Sequence, residues 1–86
     1  MNGKGWRVQL IALRRQEQTA AVWSKLQQAN QDLLDGLELH VQLAELSEGT
    51  FYRVQAGPLA DRTAATSLCD TLKTRSQDCL IVAPEG

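Results

Sequence analysis

Eighty-six residues suffice for one domain and, at that size, for only a modest hydrophobic core. Hydrophobic residues make up 43% of the chain, and nine Lys and Arg stand against ten Asp and Glu, which argues against disorder and against sequence-independent attachment to nucleic acid or an acidic membrane surface. One histidine, His40, excludes sites built on several imidazoles, and no apolar run approaches the length of a membrane span.

Residues 1–4 read as a linker ahead of a single domain over 5–83. Trp6, Val8 and Leu10 alternate with Arg7 and Gln9, the period of two expected of a half-buried strand. Thr19, Val22, Trp23 and Leu26 then form a helical stripe that begins near Arg14 without a clear cap and blurs near Asn30. Trp23 is expected in the core and Trp6 at a sheet edge. Leu37, Leu39, Val41 and Leu43 alternate with Glu38, His40, Gln42 and Ala44, the cleanest strand pattern in the chain. Ser47-Glu48-Gly49 turns that strand into another over 50–56, which Gly57-Pro58 is expected to break. Asp61 is the expected N-cap of a second helix whose Ala65, Leu68, Cys69 and Leu72 share one face. Cys79-Leu80-Ile81-Val82 has strand length and is ended by Pro84.

Residues 6–26 laid over 52–72 match at Arg7/Arg53, Val8/Val54, Gln9/Gln55, Leu13/Leu59 and Leu26/Leu72, so one strand–helix unit occurs twice. Two such units, each followed by a returning strand, predict an α+β fold of order βαββαβ. This is a ferredoxin/RNP-like, four-stranded antiparallel sheet with two helices on one face. In that topology the first and third strands are central neighbours, and the two Arg-Val-Gln triplets meet.

With Val8, Leu10, Leu37, Leu39, Val41, Tyr52 and Val54 turned to the helices, the opposite parity lines the open face. It comprises Arg7, Gln9 and Ile11; Glu38, His40 and Gln42; Phe51, Arg53 and Gln55. Leu80 and Val82 join it if Cys79 and Ile81 point inward. Carboxamides offer donors and acceptors that complement sugar hydroxyls or base edges, and an aromatic ring offers a plate for a pyranose or a base. An ordinary solvated sheet face would carry similar residues, which is the plainer reading of Arg7, Arg53 and His40.

Cys69 on the inward helical stripe and Cys79 at the next strand can approach to disulfide distance if that helix packs on that strand. Two buried free thiols are the alternative. A bond would imply an oxidising compartment, and the spacing matches no zinc motif.

The strand Val8-Gln9-Leu10, the string Tyr52-Arg53-Val54-Gln55-Ala56-Gly57-Pro58-Leu59, and the run from Ala65, Leu68, Cys69, Leu72 and Lys73 to Cys79-Leu80-Ile81-Val82 together resemble a SPOR domain (sporulation-related repeat). The resemblance spans residues 5–82 and is closest to alphaproteobacterial members, the cysteine pair included. It implies a βαββαβ module, not an enzyme and without cofactor or metal, that binds peptidoglycan glycan strands denuded of stem peptides on its open face. Such a module would take its parent protein, membrane-anchored or exported, to the division septum in the periplasm. It would itself be monomeric and would not bind nucleic acid. By the same resemblance Gln9 is the glutamine important for septal localisation, and Phe51 is the aromatic that opens the third strand. The expected glycan-binding set is Gln9, Phe51, Arg7, Arg53, Gln55, Ile11, His40, Gln42 and Leu80. Ile11 and Ala12 depart from the small hydroxyl residues the family often carries after its first Val-Gln. The lactyl carboxylate bared on each denuded muramic acid would pair with Arg7 or Arg53. RNA recognition or protein docking on the same fold is the rival reading, weakened by the absence of a basic aromatic string. A small hydrolase is weaker still, because Leu13-Arg14-Arg15-Gln16 lacks the glycines of a phosphate-cradling loop.

Overall fold

Alternating apolar and polar residues over 6–10, followed by a short apolar run, make Trp6–Leu13 a strand, β1, in a computed structural model that describes residues 5–84. The linker read at 1–4 lies outside the described residues. The chain continues through a 3-10 turn at Gln16–Gln18, α1 at Thr19–Ala29, α2 at Gln31–Leu34 and β2 at Glu38–Leu46. It then runs through β3 at Gly49–Leu59, α3 at Arg62–Thr74 and β4 at Leu80–Val82. The sheet is antiparallel with strand order β2-β3-β1-β4, so β1 and β3 are central as the duplicated pattern predicts. Helix α3 packs over β1, β3 and β4, while α1 covers β2 and β3.

The core joins Val8, Leu10 and Ala56 of the sheet to Ala65, Leu68, Cys69 and Leu72 of α3, with Leu34 and Cys79. Trp6, Trp23, Leu26 and Ile81 are partly buried against it. Cys69 and Cys79 are bonded, with Cα atoms 5.2 Å apart, so α3 is stapled to the start of β4. The other end of α3 is capped by the Asp61 carboxylate, which accepts from the Ala64 N–H at 2.8 Å. Its C-terminus closes in a Schellman motif. The Gln77 N–H reaches the Leu72 carbonyl and the Ser76 N–H reaches that of Lys73, with Ser76 left-handed at φ 64°.

Three expectations need correction. First, β3 does not break at Gly57-Pro58 but runs on to Leu59. Gly57 pairs with Glu38, and Pro58 falls at an irregularity in the β1–β3 register, where no ladder hydrogen bond is required of it. Second, the first helical region is not one helix. Asn30 is buried at the joint between α1 and α2, its side-chain N–H2 donating to the Leu26 carbonyl and its Oδ1 accepting from Arg75. The chain thereby turns so that Leu34 enters the core at 0% exposure. Third, a register shift between Gln9 and Ile11 reverses the parity of β1 beyond Leu10.

Candidate functional site

The parity reversal decides which β1 residues reach the open face. Gln9 pairs with Gln55, but Ile11 pairs with Val54, which faces the helices, and Ala12 takes the place opposite Arg53. Ile11 therefore departs from the strand parity expected of it, although it is 40% exposed and lines one cleft together with Gln9 and Leu80. At the other edge β4 behaves as predicted. Leu80 pairs with Gln9 and Val82 with Arg7, while Ile81 pairs with Val8 of the core. On β2, His40 stands opposite Gln55 and Gln42 opposite Arg53.

The middle of this face is a connected polar array. Gln55 is wholly buried although its side chain points away from the helices, because one longer neighbour, Arg7, and two of equal length, Gln9 and Gln42, close over it. Arg7, 7% exposed, donates from Nε to Gln55 Oε1 at 2.9 Å. Gln55 Nε2 donates in turn to Gln9 Oε1 and to Gln42 Oε1, each at 3.2 Å. A guanidinium has no acceptor, so the first bond fixes which end of the Gln55 amide faces which neighbour. Both N–H bonds of that amide are then used, satisfying a buried polar group that would otherwise cost about 1–3 kcal/mol.

Arg7 can lie flat here because residue 57 is glycine. A Cβ at that position would stand 2.8 Å from Arg7 Cγ and 2.9 Å from the Trp6 carbonyl oxygen. The arginine stem thus occupies the space a larger residue would fill, and the guanidinium is delivered to Gln55.

Towards the β2–β3 turn, Phe51 is half-buried, and the Arg14 guanidinium carbon sits 4.5 Å from its ring centroid. Arg14 also donates to the Glu48 carbonyl at 3.3 Å, so it anchors to the turn while stacking on the ring. One face of the expected aromatic plate is therefore already occupied. The sequence offers Arg14 only a place in a weak phosphate loop; its position on this face depends on a contact across 34 residues and has no local sequence signal. At the opposite edge, beside Gln9, the surface dips into a cleft of about 380 Å³ whose walls include Gln9, Ile11, Ala12, Gln77, Asp78 and Leu80. The Gln77 side chain forms one wall, its Nε2 bound to the Leu10 and Asp78 carbonyls at 2.8 Å.

The structure thus brings together Arg7, Gln9, Gln42 and Gln55 as one bonded unit, flanked by His40, Arg53 and Leu80, with Phe51 under Arg14 and Ile11 off the expected parity but lining the cleft beside Gln9. Among the described residues no group of three or more His, Cys, Asp or Glu is arranged to hold a metal ion.

A family model for the SPOR domain matches residues 2–83. Among solved structures, the crystal structure of the RlpA SPOR domain from Pseudomonas aeruginosa is similar, with a TM-score of 0.67 at 15% sequence identity. The alignment covers 93% of this chain and 100% of that one, a likeness of fold. No curated protein sequence matches the chain.

Proposed function

The chain belongs to the SPOR domain family and is a peptidoglycan-binding module, and on that premise we propose that it recognises glycan strands stripped of their stem peptides and draws its parent protein to the division septum. The observation that carries the reading is the carboxamide array spanning β2, β3 and β1 on the helix-free face, with Gln9 and Gln42 at its ligand side. Carboxamides suit a ligand made of hydroxyls, acetamido groups and carboxylates. Leu80, 62% exposed, extends the face with apolar surface for a sugar ring.

Removal of a stem peptide bares the lactyl carboxylate of muramic acid. Arg7 is folded beneath the array, which favours Arg53, half-buried opposite Gln42 and Ala12, as the arginine that would pair with that carboxylate. A retained stem peptide would stand in the same space, giving selection by exclusion together with charge pairing. The cystine supports an oxidising compartment, in keeping with a periplasmic module of an exported or membrane-anchored parent.

The test compares retention of the 86-residue chain on amidase-treated sacculi, intact sacculi and single-stranded RNA. Selective retention on treated sacculi is expected. Equal retention on treated and intact sacculi would overturn the preference for denuded strands, and selective retention on RNA would overturn the glycan reading altogether.

A further inference from the structure

We propose that Gln55 is the positioning residue of the glycan face: through Arg7 it locks the carboxamides of Gln9 and Gln42 with their N–H2 groups outward, so the sheet centre selects ligand groups that accept hydrogen bonds. The inference rests on the reading above and deepens it. Its chain of cause is one of polarity. Arg7 can only donate, so Oε1 of Gln55 turns towards it at 2.9 Å. Nε2 of Gln55 then points the other way and donates to Oε1 of Gln9 and Oε1 of Gln42. Each of those amides has spent its oxygen inward and keeps two N–H bonds for the exterior.

The sequence alone leaves these amides ambiguous, since a glutamine can present either end to a ligand. The array removes the ambiguity twice over, and it does so on a residue with no solvent access. Gln55 touches no ligand in this scheme; it acts through its neighbours. The ligand group it selects is an oxygen acceptor without a proton to give, and a denuded strand supplies two such groups, the acetamido carbonyl and the lactyl carboxylate.

Two variants separate this role from mere support of the fold. In Gln55→Met the shape is kept, but Gln9 and Gln42 are each free to adopt either amide orientation. One arrangement in four remains competent, so binding falls about fourfold. In Gln55→Glu the carboxylate still accepts from Arg7 but can only accept from Gln9 and Gln42, so both amides turn over and show oxygen outward. Binding is then expected to fall more than about tenfold, because two donors are replaced by two acceptors facing an acceptor.

The experiment titrates wild type and both variants, each first checked for a native near-ultraviolet dichroism spectrum, with a denuded glycan oligosaccharide. Parallel titrations use the same oligosaccharide after carboxyl reduction and after removal of the N-acetyl groups. On the unmodified strand the wild type should bind most tightly, the Gln55→Met variant less so and the Gln55→Glu variant least. The chemical change that abolishes the differences among the three proteins identifies the acceptor as carboxylate or acetamido carbonyl. Persistence of the order on the carboxyl-reduced strand also shows that charge repulsion by the introduced carboxylate is not its source. Equal affinity of folded wild type and both variants would overturn the proposal. If wild type itself fails to bind the unmodified strand, the glycan reading is what fails, and a ligand-free measurement then decides this inference. In NMR spectra of free wild type, the side-chain N–H2 protons of Gln9 and Gln42 should exchange rapidly with water. They should become protected in Gln55→Glu, where they turn inward. Protection of those protons already in wild type would overturn the polarity argument whatever the ligand.

Discussion

Reduction of the Cys69–Cys79 bond is expected to remove a large share of the stability of this domain. The two cysteines are ten residues apart and each is 2% exposed, so the bond staples α3 to β4 inside the core. Closing a loop of ten residues in the unfolded chain has an entropic worth of about 2.7 kcal/mol at 25 °C. A domain of 86 residues has a total of roughly 4–13 kcal/mol, so the unfolded fraction should rise about a hundredfold on reduction. For this size the melting temperature should fall by about 10–20 °C.

The clean assay compares thermal and urea unfolding of the oxidised protein with the protein held reduced. Reduction keeps every heavy atom, whereas Cys→Ala variants would add small cavities to the loss. Because the cross-link acts on the unfolded chain, the urea m-value should rise in the reduced form as that chain opens further. A melting temperature lowered by less than about 3 °C, with unchanged m, would refute the reasoning. It would mean that the Schellman turn at Ser76 and the Gln77 bond to the Leu10 carbonyl already hold this junction in the unlinked chain.

Three further outcomes follow from particular contacts. Gly57→Ala sets a methyl 2.8 Å from Arg7 Cγ and 2.9 Å from a backbone oxygen, so it should cost about 1–3 kcal/mol in urea unfolding and weaken glycan binding by displacing the arginine from Gln55. Ser76→Gly relieves a left-handed non-glycine residue at φ 64° and should raise stability by about 0.5–1 kcal/mol in the same assay. Asp32 is held below its usual carboxylate value, chiefly by its hydrogen bonds to Arg75 at 3.0 and 2.6 Å, so its pair contributes above the unfolded value near 3.8 and is lost as pH falls through the lower folded value. Asp32→Asn should therefore flatten the acid limb of the stability–pH curve while leaving the cystine junction intact.

Much of the fold is legible in the sequence because it rests on periodicity. Alternation sets the parity of β2 and β3, and the offset-46 match places Gln9 beside Gln55, which the observed pairing reproduces. The features that escape are those decided by tertiary packing. The irregularity between Gln9 and Ile11 carries no glycine or proline to announce it, yet it shifts Ile11 off the expected parity and sets Ala12 opposite Arg53. Helix α2 is hidden because Asn30, a polar residue, occupies a buried joint between apolar turns, satisfied by partners at Leu26 and Arg75. Arg14 reaches Phe51 only once β1 and the β2–β3 turn lie side by side.

Gln55 is the instructive case, since its parity predicts its face but not its exposure. Strand parity says which way a side chain leaves the sheet; it is silent on whether neighbours then cover it. Here Arg7, Gln9 and Gln42 are long enough to meet above Gln55, and each has a group that the central amide can satisfy. Burial removes water as a competing partner, so the amide cannot trade one orientation for the other without losing the bond that Gln55 Oε1 accepts from Arg7 Nε. A glycan gives few charged contacts, and each hydrogen bond to it displaces one to water for little net gain. Donors already aimed need no further ordering on binding, which is where a small face of neutral side chains can recover affinity. The charge that matters most on this nearly neutral chain is therefore the one turned inward at Arg7, where it sets the direction of amides that carry no charge at all.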